Sequence, residues 1–161
     1  MRSEGFPARQ GLYDPQFEHD SCGVGFVADI YGRKSHKILK TAMTSLVRMD
    51  HRGASGAEEA TGDGAGILTQ IPHGFFQREC ERLHIDLPEP GEYAVGMFFL
   101  PQDESDRKHC EAKFEEIARE HDLRILGWRN VPVNNWNLGE SAKKSQPFIK
   151  QVFIGKTEKI C

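Results

Sequence analysis

The sequence predicts a layered domain of the α/β or α+β class. Three observations carry that prediction. Helix-like and strand-like segments alternate along the chain, apolar residues in each are spaced for burial of one face, and glycine- or proline-containing breaks separate them. With 161 residues, the chain is long enough for one ordinary domain or part of a larger one. Pattern alone leaves a parallel and an antiparallel sheet equally open.

Residues 1–21 read as a separate leader, rich in Gly, Pro, Asp, Glu and Gln and without sustained periodicity. Cys22–Ile30 then reads as a strand, with Val24, Phe26, Val27 and Ile30 as β-formers. Tyr31-Gly32-Arg33-Lys34 is a turn. Ser35 is suited to cap a helix running to about Asp50, in which Ile38, Leu39, Ala42, Met43, Leu46 and Val47 share a face. A glycine-dense loop spans His51 to Ile67, and Ile67–Ile71 reads as a short strand closed by Pro72.

The second half continues the alternation. Phe75–Leu83 is predicted helical, and Tyr93–Leu100 a buried strand closed by Pro101. Asp103 to His121 is a charged amphipathic helix with Cys110, Phe114, Ile117 and Ala118 facing inward. Leu123–Val133 reads as a strand stopped at Pro132, Ser141 and its neighbours as a short helical turn, and Phe148–Ile154 as the last strand. That strand is expected to leave a raw sheet edge, as in the front piece of something longer. Trp128 and Trp136 are expected to pack.

Composition narrows the function. The chain is 38% hydrophobic and 28% charged, which fits a folded soluble domain. A net charge of −3 offers no basic field for a phosphate backbone, so nucleic acid is not an expected partner. No apolar run approaches the ~20 residues of a membrane helix, and the N-terminus has no apolar signal core. No membrane partner is expected, and a cytoplasmic location is the default. The cysteines at 22, 80, 110 and 161 are spaced too widely for a metal or redox Cys-x-x-Cys motif.

The stretch His19-Asp20-Ser21-Cys22-Gly23-Val24-Gly25-Phe26 puts a thiol at the seam between the leader and a strand. A thiol reacts as its thiolate, and its free pKa is about 8.5. One base needs no other part of the protein: the α-amino group of Cys22, were it the first residue, with a pKa of ~7.7–8.0. An attached leader makes that nitrogen an amide and silences it. A buried structural cysteine fits the same residues. Arg52-Gly53 offers a fork of donors for a carboxylate beside exposed backbone, and equally fits an ordinary helix C-terminus. Thr61-Gly62-Asp63-Gly64-Ala65-Gly66 lacks the spacing of a dinucleotide fingerprint, has no following Gly-Lys-Ser/Thr, and precedes a strand rather than opening a helix. Cys80 and His84, one helical turn apart, and His109 beside Cys110 do not make a zinc site without further ligands.

"CGVGF" followed by "HRGASGAEEATGDGAGI", with "GLYDPQFEHDSCGVGFVAD", "SLVRMDHRG", "TGDGAGILTQIPH" and "LGWRNVPV", resembles the N-terminal class II glutamine amidotransferase domain of glutamate synthase large subunits. The likeness runs from about Gly11 to Gly155. It implies an α+β, N-terminal-nucleophile fold: an αββα sandwich of two antiparallel sheets between helical layers, incomplete in this chain. Residues 1–21 would be a propeptide, and 22–161 the N-terminal part of the amidotransferase domain. Cys22 would attack L-glutamine, form a glutamyl thioester and release ammonia. Arg52 and Gly53 would line the glutamine pocket, and Asp63 would make a polar contact there.

In the whole enzyme, ammonia would pass to 2-oxoglutarate in a synthase domain of the same polypeptide. FMN and a 3Fe-4S cluster would serve there, fed by an electron-donating small subunit or ferredoxin. The resemblance implies that those ligands lie downstream, since Cys80, Cys110 and Cys161 match no cluster-binding run. In this family an Asn-Gly pair supplies the oxyanion donors, and the chain has no Asn-Gly; Asn134-Asn135-Trp136 is the nearest look-alike. The fragment alone is therefore expected to be inactive. Two other readings are carried alongside: a non-catalytic binding or regulatory module of the same fold, and a thiol redox sensor using Cys22.

Overall fold

The computed structural model describes residues 9–11, 23–49, 62 and 64–157. The chain divides into two units, one of Met1–Gly56 with Gly62–Ile67 and one of Ala57–Thr61 with Leu68–Cys161.

In the first unit the turn predicted at Tyr31–Lys34 is present. Asp29 organises it: its carboxylate accepts from the Tyr31 N–H at 2.8 Å and pairs with Arg33 at 3.1 Å. Its carbonyl accepts from the Gly32 N–H at 2.9 Å. Gly32 has φ +69, a left-handed conformation that glycine adopts without penalty. Helix α1 (His36–Arg48) follows, capped by Ser35, whose side chain accepts from the Ile38 N–H at 3.3 Å. Its apolar stripe is the predicted one. Ile38, Leu39, Ala42 and Leu46 are half-buried, while Met43 and Val47 are exposed.

The strand predicted over Cys22–Ile30 is a correction, because described residues 23–30 are irregular. So are residues 67–71, where Ile67–Ile71 reads as a short strand. Phe26 is 95% exposed and Leu68 fully so. Alternation records which face of a segment favours burial. A strand also needs a hydrogen-bonding neighbour, and no ladder among the described residues includes these two segments.

The second unit is built in three layers. Helix α2 (His73–Arg82) lies on one face of a sheet made of β1 (Tyr93–Leu100), β2 (Leu123–Asn130) and β3 (Phe148–Lys156), and α3 (Glu104–Glu120) lies on the other. A short helix α4 (Glu140–Ser145) precedes β3. The strand order is β1-β3-β2 with both pairings antiparallel, which resolves the choice the pattern left open. The last strand is therefore central rather than the expected raw edge. A second sheet is not found among the described residues.

Each face of the sheet has its own core. Phe76 and Cys80 of α2 pack with Tyr93 and Phe153, and Ile85, Leu87, Val95 and Leu126 surround them. Full burial of a side chain such as Phe153 contributes roughly 1.5–3 kcal/mol. On the opposite face Phe98, Phe114 and Trp128 meet edge to face at centroid distances of 4.5–5.9 Å. Asp103 caps α3, accepting from the Asp106 N–H at 3.0 Å.

Helix α3 is rotated from the predicted orientation: Cys110 is exposed and Ile117 41% exposed. Polar partners on the sheet set the rotation. Lys150 pairs with Glu111 at 2.8 Å, and the Trp128 indole donates to Glu115 at 2.8 Å. Trp136 corrects another expectation. It is 81% exposed in a turn where the Asn134 side chain accepts from the Trp136 N–H.

The end of α2 uses an uncommon residue. His84 has φ +55, the Ile85 N–H donates to the Cys80 carbonyl at 2.9 Å, and the His84 N–H donates to Glu81 at 3.3 Å. This is a Schellman closure, in which glycine usually holds the left-handed position. His84 has thus left the helix on which its pairing with Cys80 was considered. Ile85 then lies over Gly127, where a Cβ would stand 2.6 Å from Ile85 Cγ1 and Cδ1. Gly127 also sits at the register shift in β2. Gly127→Ala is expected to cost about 1–3 kcal/mol by overpacking, while His84→Gly gains about 1 kcal/mol by relieving the left-handed backbone. Thermal denaturation of the two variants should show Tm shifts of opposite sign.

Candidate functional site

Cys22, Arg52, Gly53 and Asp63 lie outside the described residues. What is described is the chain on either side of them. Gly23–Asp29 leads away from Cys22 as irregular, exposed backbone. A Cβ on Gly25 would meet nothing within 4 Å. Helix α1 delivers the chain to Met49, whose N–H donates to the Leu46 and Val47 carbonyls. Arg52 follows three residues later.

The glycine loop does not open a helix. Gly64–Pro72 is irregular, and α2 begins only at His73 without a side-chain cap. A phosphate loop needs a helix N-terminus directly after its glycines, and Gly66 is followed by Ile67–Pro72 instead.

Among the described residues, the most deeply placed titratable groups are engaged in packing. Arg129, 8% exposed, donates through Nε and Nη2 to Glu79 Oε2 at 3.1 and 2.7 Å, and through Nη1 to Gln151 Oε1 at 2.9 Å. It also lies over the Phe75 ring. The Arg129 hydrogen bonds hold the Glu79 carboxyl below its usual range, aided by the charges of Arg129 and Arg82. This cluster pins α2 to the sheet. No sequence pattern announces it, because Glu79 and Arg129 are 50 residues apart. A lone arginine in a strand has no local pattern to announce its partner.

Cys80 is fully buried, and burial pushes its thiol above the ordinary range. Burial likewise raises Tyr93, whose hydroxyl lies 3.0 Å from His73 Nδ1. Both are core groups by environment. Cys110 is exposed. Among the described residues no group of three or more His, Cys, Asp or Glu could hold a metal ion, and no helix is long and apolar enough to cross a membrane.

Comparison with known proteins bears on residues 22–160, which match the family described as Glutamine amidotransferases class-II. The chain is 48% identical over 149 residues to the glutamate synthase [NADPH] large chain of Bacillus subtilis, covering 92% of this chain and 10% of that protein. It is 49% identical over 153 residues to the glutamate synthase [NADH] of Saccharomyces cerevisiae, covering 92% and 7%. Against the ferredoxin-dependent glutamate synthase 2 of Synechocystis it is 41% identical over 137 residues, covering 85% and 9%. The chain thus spans a tenth or less of the length of these curated relatives.

The Glu79–Arg129 pair sets an acid-side dependence of stability. A carboxyl lowered in the folded state stabilises above its unfolded value, near ~4.3, and loses that contribution as pH falls through the folded value. Glu79→Gln is expected to have a lower Tm than the parent chain at neutral pH. The gap should narrow as pH is taken below ~4, in thermal melts across an acid series.

Proposed function

The chain belongs to the class-II glutamine amidotransferases, and we propose that it carries the first part of the glutaminase domain of a glutamate synthase, with Cys22 as the nucleophile. One observation carries this reading: the family match begins at Cys22, the residue singled out on chemical grounds at the end of the leader.

In the proposed reaction, removal of residues 1–21 frees the α-amine of Cys22. That amine takes the thiol proton, and the thiolate attacks the side-chain amide carbon of L-glutamine. The tetrahedral oxyanion collapses, the C–N bond breaks, and the nitrogen leaves as ammonia with the proton returned by the α-ammonium group. Water then attacks the glutamyl thioester, releasing glutamate and restoring the thiol. Arg52 holds the substrate carboxylate through its guanidinium fork, and Gly53 lets backbone face the ligand. Asp63 makes a polar contact with the substrate.

The oxyanion needs preorganised donors, each worth ~10²–10³ in rate. The Asn134–Trp136 segment is no substitute, since its backbone is engaged in its own turn. We therefore infer that this chain by itself releases ammonia only at background rate. The complete domain would be the αββα sandwich, to which the three-stranded sheet contributes.

The wider reaction on 2-oxoglutarate belongs in this proposal to the rest of a longer polypeptide, with a small subunit or ferredoxin as electron donor. FMN and a 3Fe-4S cluster would supply electron transfer there. The described residues do not fit a cluster: Cys80 is sealed among Phe76, Tyr93 and Phe153, and Cys110 stands alone on α3.

The test uses the full-length protein. A diazo-oxo-norleucine label, read by peptide mass spectrometry, is expected on Cys22 of a chain that begins at that residue. Cys22→Ser should lower glutamine-dependent turnover on the order of 10³–10⁶-fold. Retained turnover in Cys22→Ser, or in a mature protein that keeps residues 1–21, overturns the reading.

A further inference from the structure

Asp29 opens a turn whose bonds are all local. Its carboxylate accepts from the Tyr31 N–H at 2.8 Å and the Arg33 N–H at 3.4 Å, and from Arg33 Nε and Nη2 at 3.2 and 3.1 Å. Its carbonyl accepts from the Gly32 N–H at 2.9 Å. The Arg33 guanidinium lies 5.0 Å from the centroid of the Tyr31 ring. Each of these partners lies within four residues of Asp29, so the clamp is complete in this stretch of chain whatever packs around it. The same bonds, the Arg33 side chain foremost, hold the Asp29 carboxyl below its usual range and charged at neutral pH.

Only Lys34 separates this clamp from the Ser35 cap of α1. Turn and helix therefore leave the chain little free rotation between them. The 13 residues of α1 make a lever ~20 Å long. A swing of ~3° about the turn moves the far end of such a lever by ~1 Å, and a misplacement of that size can cost ~10² in rate. Cys22 precedes Asp29 by seven residues, and Arg52 follows the end of α1 by four. The clamp and the lever thus stand in the chain between the proposed nucleophile and the proposed carboxylate holder.

We propose that Asp29 is a positioning residue for the glutaminase reaction. By closing the turn it fixes the direction in which α1 leaves the Cys22 segment, and so the placing of a substrate held by Arg52 against the thiol. The inference rests on the amidotransferase reading and on the roles it gives Cys22 and Arg52. Asp29 itself touches neither substrate nor thiol; it acts through the turn.

The experiment follows alkylation of Cys22 by diazo-oxo-norleucine in the full-length protein, counted per chain that begins at Cys22. The limiting rate at saturating reagent reads the alignment of thiol and electrophile. The half-saturating concentration reads capture of the reagent's carboxylate. Asp29→Ala is expected to lower the limiting rate at least about tenfold, with the half-saturating concentration within about threefold of the parent's. Asp29→Asn keeps an acceptor for the Tyr31 N–H and should recover the limiting rate to within about threefold. Asp103→Ala, which removes the α3 cap in the other unit, should lower Tm with alkylation unchanged, and so separates positioning from general loss of stability.

An Asp29→Ala protein alkylated at the parental limiting rate overturns the inference and leaves the amidotransferase reading standing. So does a loss confined to the half-saturating concentration, an Asp29→Asn protein no faster than Asp29→Ala, or an Asp103→Ala protein slowed as much as Asp29→Ala. A parent protein that is not alkylated at Cys22 overturns both. Should Asp29→Ala fail to fold, Arg33→Gln decides, since it withdraws the guanidinium and leaves the main-chain bonds. A limiting rate lowered about threefold or more supports the inference, and the parental rate overturns it.

Discussion

Phe153 is fully buried on the strand that both β1 and β2 require as a neighbour. β3 is the last strand among the described residues and the middle one in the sheet. Its backbone supplies the ladder for Tyr93–Leu100 on one side and Leu123–Asn130 on the other. Its side chains supply both cores, with Phe153 under α2 and Lys150 under α3. Until residue 148 is available, β1 and β2 have no partner in this sheet, because they do not pair with each other. The loop-closure entropy of those pairings is met before any ladder forms. Local helix signals such as the Asp103 cap lower that cost by giving α3 structure of its own.

The boundary residues explain which elements were legible in the sequence. β1 is bounded as predicted because Pro101 ends its ladder. The end of β2 is nearly so: the Val131 N–H still donates to Ile149, and Pro132 then has no donor to offer. Helices α1 and α3 are legible from Ser35 and Asp103, whose side chains meet the N–H groups that a helix start leaves unpaired. Partnership was not legible. Val24 and Phe26 alternate like a strand, yet alternation does not supply a neighbour. Cys110 and Ile117 share a helical stripe with Phe114, yet Glu111 and Glu115 turn toward the sheet because Lys150 and the Trp128 indole await them.

The candidate site divides along the same line. Cys22 and Arg52-Gly53 were found by motif order and by the chemistry of a thiol next to a latent amine, both properties of the chain itself. Their geometry lies outside the described residues. The Glu79–Arg129–Gln151 cluster is the reverse case, defined in space and silent in sequence. Its members come from α2, β2 and β3, and it fixes the helix that follows the glycine loop. It acts as a framework and takes no part in the proposed chemistry.

Cys80 and Cys22 show why residue type alone does not make a nucleophile. Cys80 is enclosed by Phe76, Tyr93 and Phe153, and that burial raises its thiol pKa. Arg129 opposes the shift and Glu79 supports it, so the nearby ion pair leaves burial in control. A thiol in that setting stays protonated and inert at neutral pH. In the sequence, Cys22 follows a polar run and precedes Gly23 and Gly25. A thiolate there needs a base of matched pKa, and its own α-amine meets that need without any other side chain. In the proposed mechanism, activation is then a single covalent event, cleavage before Cys22, rather than a property of the folded environment. That division, in the proposed mechanism, lets Cys80 stay buried and protonated while the thiol of Cys22 is made reactive by peptide-bond hydrolysis.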